Sequence, residues 1–179
     1  MMKKFLLLFV FFFIKGTLFS QILKSDNGAV SFTSNAPLEV IKGKSNQLKG
    51  VIDVTKQTFA FSVNVNSFQG FNSPLQQEHF HENYLETKKF STITFTGKII
   101  EKIDFQQDTK TTVRAKGYLT IHGVKQERII KSDLEIRKGK VFITTQFTVP
   151  LAEHQIPIPK IVNQKIAEEI QVKVNVELK

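Results

Sequence analysis

The chain has 179 residues, a formal net charge of +9 at pH 7, 17 phenylalanines, no tryptophan and no cysteine. Lacking cysteine, it has no disulfide, no thiolate nucleophile and no cysteine metal site, so a hydrophobic core and a hydrogen-bonded ladder must hold it together. Its lysines are scattered over strand and loop positions and no recognition motif accompanies them, which argues against a nucleic-acid partner. That leaves solubility and transient attraction to an anionic membrane surface as the consequences of the charge.

Residues 1–20 read as a secretory signal peptide: Lys3 and Lys4, an apolar run from Phe5 to Ile14, then an exit through Gly16-Thr17-Leu18-Phe19-Ser20. Ten apolar residues fall short of the roughly 20 that span a bilayer. Residues 21–179 are expected to form one exported domain, periplasmic in the first instance and secreted in the second. No linker, charge block or fixed-period repeat divides it.

The elements that follow are mostly strands. Val30–Ser34 and Leu38–Lys42 flank Asn35-Ala36-Pro37, and Leu48–Val54 follows a loop at Gly43-Lys44-Ser45-Asn46. Residues 57–68 form the longest early strand, with Phe59, Phe61, Val63 and Val65 on one face. Ser73 then caps a helix from Pro74 to about Glu86, with proline in its first position, Gln76 three residues after the cap, and Phe80 and Tyr84 one turn apart. Residues 90–103 return to strand alternation with Ile93, Phe95, Gly97 and Ile99 inward, and the doubled Ile99-Ile100 marks a bulge or a change of face.

The clearest pattern lies at 111–136. Val113, Ala115, Gly117, Leu119 and Ile121 alternate with Thr112, Arg114, Lys116, Tyr118 and Thr120, and Ile130, Leu134 and Ile136 resume beyond His122-Gly123. A two-residue turn there sets Ile121 opposite Val124, Ala115 opposite Ile130, and Arg128 inward opposite Gly117. Val141 to Val149 alternates next, with Phe147 inward. Residues 150–165, holding Pro157-Ile158-Pro159, form a loop with a short helical turn near 163–168. Residues 169–178 close the chain with Ile170, Val172, Val174, Val176 and Leu178. The pattern predicts an all-β, antiparallel barrel or sandwich of about eight strands, with the helix and the proline-rich loop each sitting at a barrel end or covering an opening.

The wording GYLTIHGV at 117–124, together with NYLETKKFSTITFTGKI at 83–99 in the same order and spacing, resembles the YceI-like family of bacterial polyisoprenoid-binding proteins. HFHENYLET at 79–87 and the proline-rich closing region resemble its Bacteroidetes-type branch. Two positions depart from the pattern: Ser91 stands where a proline is expected, and Arg128 where an apolar residue is expected. The resemblance covers about residues 25–179. It implies a lipocalin-like barrel whose tunnel holds a long isoprenoid chain, a non-enzymatic role, and pairing as a homodimer.

Enzyme signals are absent from the sequence: there is no Gly-x-Ser-x-Gly, phosphate loop or dinucleotide fingerprint. No cofactor is implied. Glu78-His79-Phe80-His81-Glu82 looks like a metal cluster, but His79 and His81 point about 200° apart on a helix, so these read as solvated positions. His122 reads as a turn residue and His154 has no evident partner. The expected tunnel lining is Phe59, Phe61, Val63, Val65, Phe80, Tyr84, Ile93, Phe95, Gly97, Val113, Ala115, Gly117, Leu119, Phe147 and Val172. Small residues at Gly97, Ala115 and Gly117 are expected to leave room beside the phenylalanines. Arg128, Tyr118 and His81 are the head-group candidates, with Lys116 beside them. Alternation prescribes an apolar interior whether a barrel is hollow or filled. The alternative is therefore an exported barrel with a packed core that serves as a protein-interaction module.

Overall fold

The computed structural model describes residues 22–179; the leader expected at 1–20 lies outside them. Eight strands close into one antiparallel barrel: β1 (Ile22–Asn35), β2 (Val40–Asp53), β3 (Thr58–Asn64), β4 (Thr92–Ile99), β5 (Thr109–Ile121), β6 (Val124–Arg137), β7 (Lys140–Pro150) and β8 (Glu169–Leu178). Each strand pairs with the next, and β8 returns to pair with β1. Closure leaves no free sheet edge along most of the wall. The β5–β6 hairpin has the register expected of it, with Ile121 opposite Val124, Ala115 opposite Ile130 and Gly117 opposite Arg128.

Several boundaries differ from the sequence reading. β2 is one continuous strand through Gly43-Lys44-Ser45-Asn46, not two segments around a loop. Those residues have turn chemistry, but here Gly43 leaves space for the Phe32 ring, whose nearest carbon would lie 2.4 Å from an added Cβ. β3 stops at Asn64, whose side chain accepts from the Asn66 N–H at 2.8 Å and starts a 3-10 turn at Val65–Ser67. The helix is shorter than expected. α1 (Pro74–His79) is capped by Ser73 Oγ accepting from the Gln76 N–H, and Phe80–Tyr84 continues as a π-turn ending on Leu85. In the second insertion the helical turns fall at Leu151–His154 and Lys160–Val162.

The two ends of the barrel are unlike. One carries short links (β2–β3, β6–β7) and the irregular segment 100–108; the other carries the β1–β2 and β5–β6 turns and both long insertions, 65–91 and 151–168. At the first end the core is solid: Ile52, Leu134 and Leu178 are 0% exposed, and Val141 and Ile136 nearly so. Each such side chain contributes about 1.5–3 kcal/mol when fully buried. At the other end many residues of the same inward parity are only half-buried, although Val63, Leu119 and Val149 are buried there too. Along β8, Val176 and Leu178 are buried whereas Ile170, Val172 and Val174 are not. Along β7, Val141 is buried whereas Ile143, Thr145 and Phe147 are not. An unbroken period of two thus lines a half-filled barrel.

The β6–β7 seam also opens toward the second end. Pairing runs only from Arg137 opposite Lys140 to Asp133 opposite Thr144. Beyond it Thr145 Oγ1 donates to the Lys131 carbonyl at 2.7 Å, and the Gln126 amide donates to the Glu153 carbonyl at 2.7 Å.

Candidate functional site

The half-buried residues surround a cavity of about 500 Å³, within the range of small-molecule pockets. Its floor is the top of the solid core: Leu48, Ile52, Phe59, Ile99, Val113, Leu134 and Val176. The walls are Phe61, Val63, Ile93, Phe95, Ala115, Leu119, Ile143, Phe147 and Val172. Ser132 and Thr145, of inward parity, add hydroxyls to an otherwise apolar surface. The roof comes from the insertions, which bring Phe68, Phe71, Phe80, Tyr84 and Leu85 from one and Leu151, Ile156, Val162 and Ile166 from the other. Phe80 is the keystone of that roof. It stacks on Phe32 of β1 at 5.3 Å and packs tilted against Phe71 at 5.0 Å and Phe68 at 5.8 Å. Burial raises the Tyr84 hydroxyl above its ordinary pKa, so the phenol stays neutral here.

The mouth lies between the β1–β2 turn, α1 and the 160–168 segment, and its polar lining is Glu39, Ser73, Gln76, His79 and Lys165. These pieces are tied together. Gln76 Nε2 donates to Glu39 Oε1 at 2.9 Å, and Gln76 Oε1 accepts from the Asn72 N–H at 3.0 Å. The Leu38 N–H donates to the Gln164 carbonyl at 2.9 Å, and Ser34 Oγ accepts from the Ala167 N–H at 2.8 Å. Leu38, Leu75 and Ile161 project into solvent around this opening, Ile161 at 91% exposure.

The opposite side of the roof is fastened by histidines. His122, at the β5–β6 turn, bonds the Glu86 carboxylate through Nε2 at 2.9 Å and the His154 carbonyl through Nδ1 at 3.2 Å. Both partners are acceptors, so the ring stands between two groups that each take a hydrogen bond from it. Three non-glycine residues with left-handed φ meet at this fastening: Glu86, His122 and Gln155. Such conformations cost about 1–3 kcal/mol each and persist where the surroundings over-determine them. His154 is fully buried, with Nδ1 donating to the Val124 carbonyl at 3.1 Å and Nε2 left unpartnered. Burial, first of all, holds its pKa below the ordinary value, which fits a neutral ring.

Twelve of the expected lining residues face the cavity: Phe59, Phe61, Val63, Phe80, Tyr84, Ile93, Phe95, Val113, Ala115, Leu119, Phe147 and Val172. Val65 does not; the 3-10 turn buries it completely beside the wall. Gly97 and Gly117 do not either. They lie opposite each other, and a Cβ on Gly97 would sit 2.1 Å from the Lys116 carbonyl oxygen, so the neighbouring backbone fills the space expected for ligand.

The head-group candidates lie away from the cavity. Arg128 has inward parity but lies beyond the cavity, where its guanidinium pairs with Glu153 at the seam. Tyr118 is on the outer face with the Lys125 ammonium 4.1 Å above its ring. His81 turns to Thr87 and to the far side of Phe80 and Phe71. Lys116 pairs with Glu127 outside. The polar groups that do ring the mouth sit on loops or on solvated helix positions, where no periodicity signals a direction. Among the described residues no group of three His, Cys, Asp or Glu could share a metal ion.

Comparison with known proteins places this architecture. A family model described as a YceI-like domain matches residues 22–178. No curated protein matches the chain. Among solved structures, a polyisoprenoid-binding domain from Saccharophagus degradans, implicated in plant cell wall breakdown, is 14% identical with a TM-score of 0.75, over 88% of this chain and 97% of that one. BcnA from Burkholderia cenocepacia is 14% identical with a TM-score of 0.69, over 85% and 96%. A YceI protein from Campylobacter jejuni is 17% identical with a TM-score of 0.53, over 98% and 97%. At these identities the likeness is one of fold.

Proposed function

Since the chain belongs to the YceI-like family, we propose that it is a non-enzymatic binding protein that holds a long apolar lipid, a polyisoprenoid or isoprenoid quinone, in the open half of its barrel for carriage, storage or protection. The observation that carries this reading is the apolar cavity of about 500 Å³, floored by a solid core and open at one end. Each methylene-sized unit buried there contributes about 0.8 kcal/mol, so a chain occupying many units binds without exact shape matching. Rings such as Phe61, Phe95 and Phe147 suit a branched, unsaturated tail. The Saccharophagus degradans domain of the same fold is described as polyisoprenoid-binding, which supports the same ligand class here.

Export through the leader at 1–20, to the periplasm or beyond, belongs to the same proposal. So does brief contact with a membrane surface, supported by Leu38, Leu75 and Ile161 around the mouth. Homodimerisation rests on the family resemblance alone. Native mass spectrometry of protein purified from its own source, followed by solvent extraction, tests the central reading. An extractable isoprenoid is expected; a rigid, empty protein that takes up no lipid would move the weight to a protein-interaction module.

A further inference from the structure

The three most exposed large apolar side chains among the described residues are Ile161, Leu38 and Leu75, and all three stand around the mouth of the cavity. They come from separate segments that are bonded to one another: the Leu38 N–H donates to the Gln164 carbonyl, the Asn72 side-chain amide to the Val40 carbonyl at 3.0 Å, and the Gln76 amide to Glu39. The rim is therefore set before anything docks on it, and little ordering is left to pay for on contact. Charges alternate with these anchors. Segments 35–42, 72–79 and 160–168 carry Lys42, Lys160 and Lys165 against Glu39, Glu78 and Glu168, with His79 beside them. None of these lysines and glutamates joins an ion pair among the described residues, and their formal charges balance. A balanced, apolar-studded rim complements a surface that itself pairs phosphates with ammonium groups. The lysine stems lie along apolar anchors while their heads reach phosphates.

Resting on the lipid-binding reading, we infer that this rim docks mouth-down on a zwitterionic phospholipid bilayer, with Ile161, Leu38 and Leu75 in the boundary between head groups and acyl chains, and that lipid passes directly between bilayer and cavity. Apolar side chains buried at that boundary supply the affinity. Because the charges of the rim balance, added salt has little attraction to screen. A tail of many methylene-sized units strongly resists release into water; in the docked protein it moves from one apolar phase to another. Exchange then requires collision with a membrane, and its rate rises with the concentration of vesicles. A lipid that first escaped into water would leave the protein at a rate indifferent to them.

The chain has no tryptophan, so one substitution gives a clean reporter. Ile161→Trp probes the rim and Ile129→Trp the outer wall, each replacing an exposed side chain. Protein expressed from its full coding sequence is mixed with vesicles of phosphatidylcholine and phosphatidylethanolamine. The Ile161→Trp fluorescence is expected to shift to the blue and to be quenched by brominated acyl chains, whereas that of Ile129→Trp stays as it is. Binding should change by less than about twofold between about 0.05 and 0.5 M salt. Transfer of an isoprenoid quinone from loaded protein should accelerate in proportion to vesicle concentration, and the double variant Leu38→Asp/Ile161→Asp should slow it about tenfold or more while still binding quinone. An unshifted Ile161→Trp, docking that needs anionic lipid and vanishes in high salt, or a transfer rate independent of vesicles overturns the inference and leaves lipid binding standing. Self-association that the double variant abolishes would make the rim a protein contact and overturn it equally. Failure of the unaltered protein to take up quinone overturns the lipid-binding reading itself.

Discussion

Ala115 offers a direct way to ask which half of the barrel is solid. Its Cβ lies on the cavity wall between Ile99 of β4 and Ile130 of β6. Phenylalanine there has somewhere to go. Overpacking a dense core costs about 1–3 kcal/mol, whereas a ring entering the cavity contributes up to about 1.5–3 kcal/mol of burial. Ala115→Phe is therefore expected to leave the stability of the lipid-free protein unchanged or raised. The same ring displaces at least about three methylene-sized units of tail, about 2.4 kcal/mol, or about fifty-fold in lipid affinity. Leu134→Ala, at the solid end, is the contrast: a residue 0% exposed, expected to cost about 2–5 kcal/mol. Urea unfolding gives the stabilities, and titration with an isoprenoid quinone gives the affinities. If Ala115→Phe destabilises by about 1–3 kcal/mol and binds lipid normally, the open half is packed and the reasoning fails.

Other consequences concern the fastening and the wall. Gly123 has φ +72°, and a Cβ there would meet the Phe90 ring at 2.4 Å. Gly123→Ala should cost at least about 1–2 kcal/mol, read as a lower urea midpoint; an unchanged midpoint would show that the turn does not hold this shape. Gly97→Ala puts a methyl group into the Lys116 carbonyl of the facing strand, and should lower hydrogen-exchange protection along β4 and β5 before it does so elsewhere. The pH dependence has a definite sign. Burial depresses the pKa of His154 and of His81, so below about pH 6.5 the unfolded chain takes up protons that the fold resists, and stability falls. Hydrogen bonds from Lys89 and then His122 hold the Glu86 carboxyl low. Its contribution is present above the ordinary carboxylate range, about pH 4.3, and is lost as pH falls through the depressed value. Urea midpoints measured downward from pH 7.5 should therefore decline; a rise on acidification would contradict both assignments.

Much of this was legible from residue order. Period-two alternation located the strands, and the β5–β6 register followed from a two-residue turn at His122-Gly123 because a slip of one residue would turn every side chain over. Ser73-Pro74 marked a helix start by cap chemistry, although its length did not follow: past His79 the hydrogen bonds lengthen to the π pattern that brings Phe80 onto Phe32. The cavity was not legible. Val172 and Leu178 lie in one unbroken alternation, and only the converging walls decide that Leu178 is buried and Val172 is not. Gly97 and Gly117 suggested room, but absent side chains let backbones approach as readily as ligands. Arg128 shows how parity alone misleads: it points inward, yet at its level the wall is Glu153 of an insertion that pattern could not place.

The claim that one half of this barrel is an open lipid site is tested most directly by methyl NMR during titration with an isoprenoid quinone. Methyl groups of Ile143 and Val172, on the cavity wall, should shift strongly and saturate together, while those of Leu178, in the solid end, stay in place. Shifts confined to outward residues such as Ile129, or none at all at Ile143 and Val172, would contradict it.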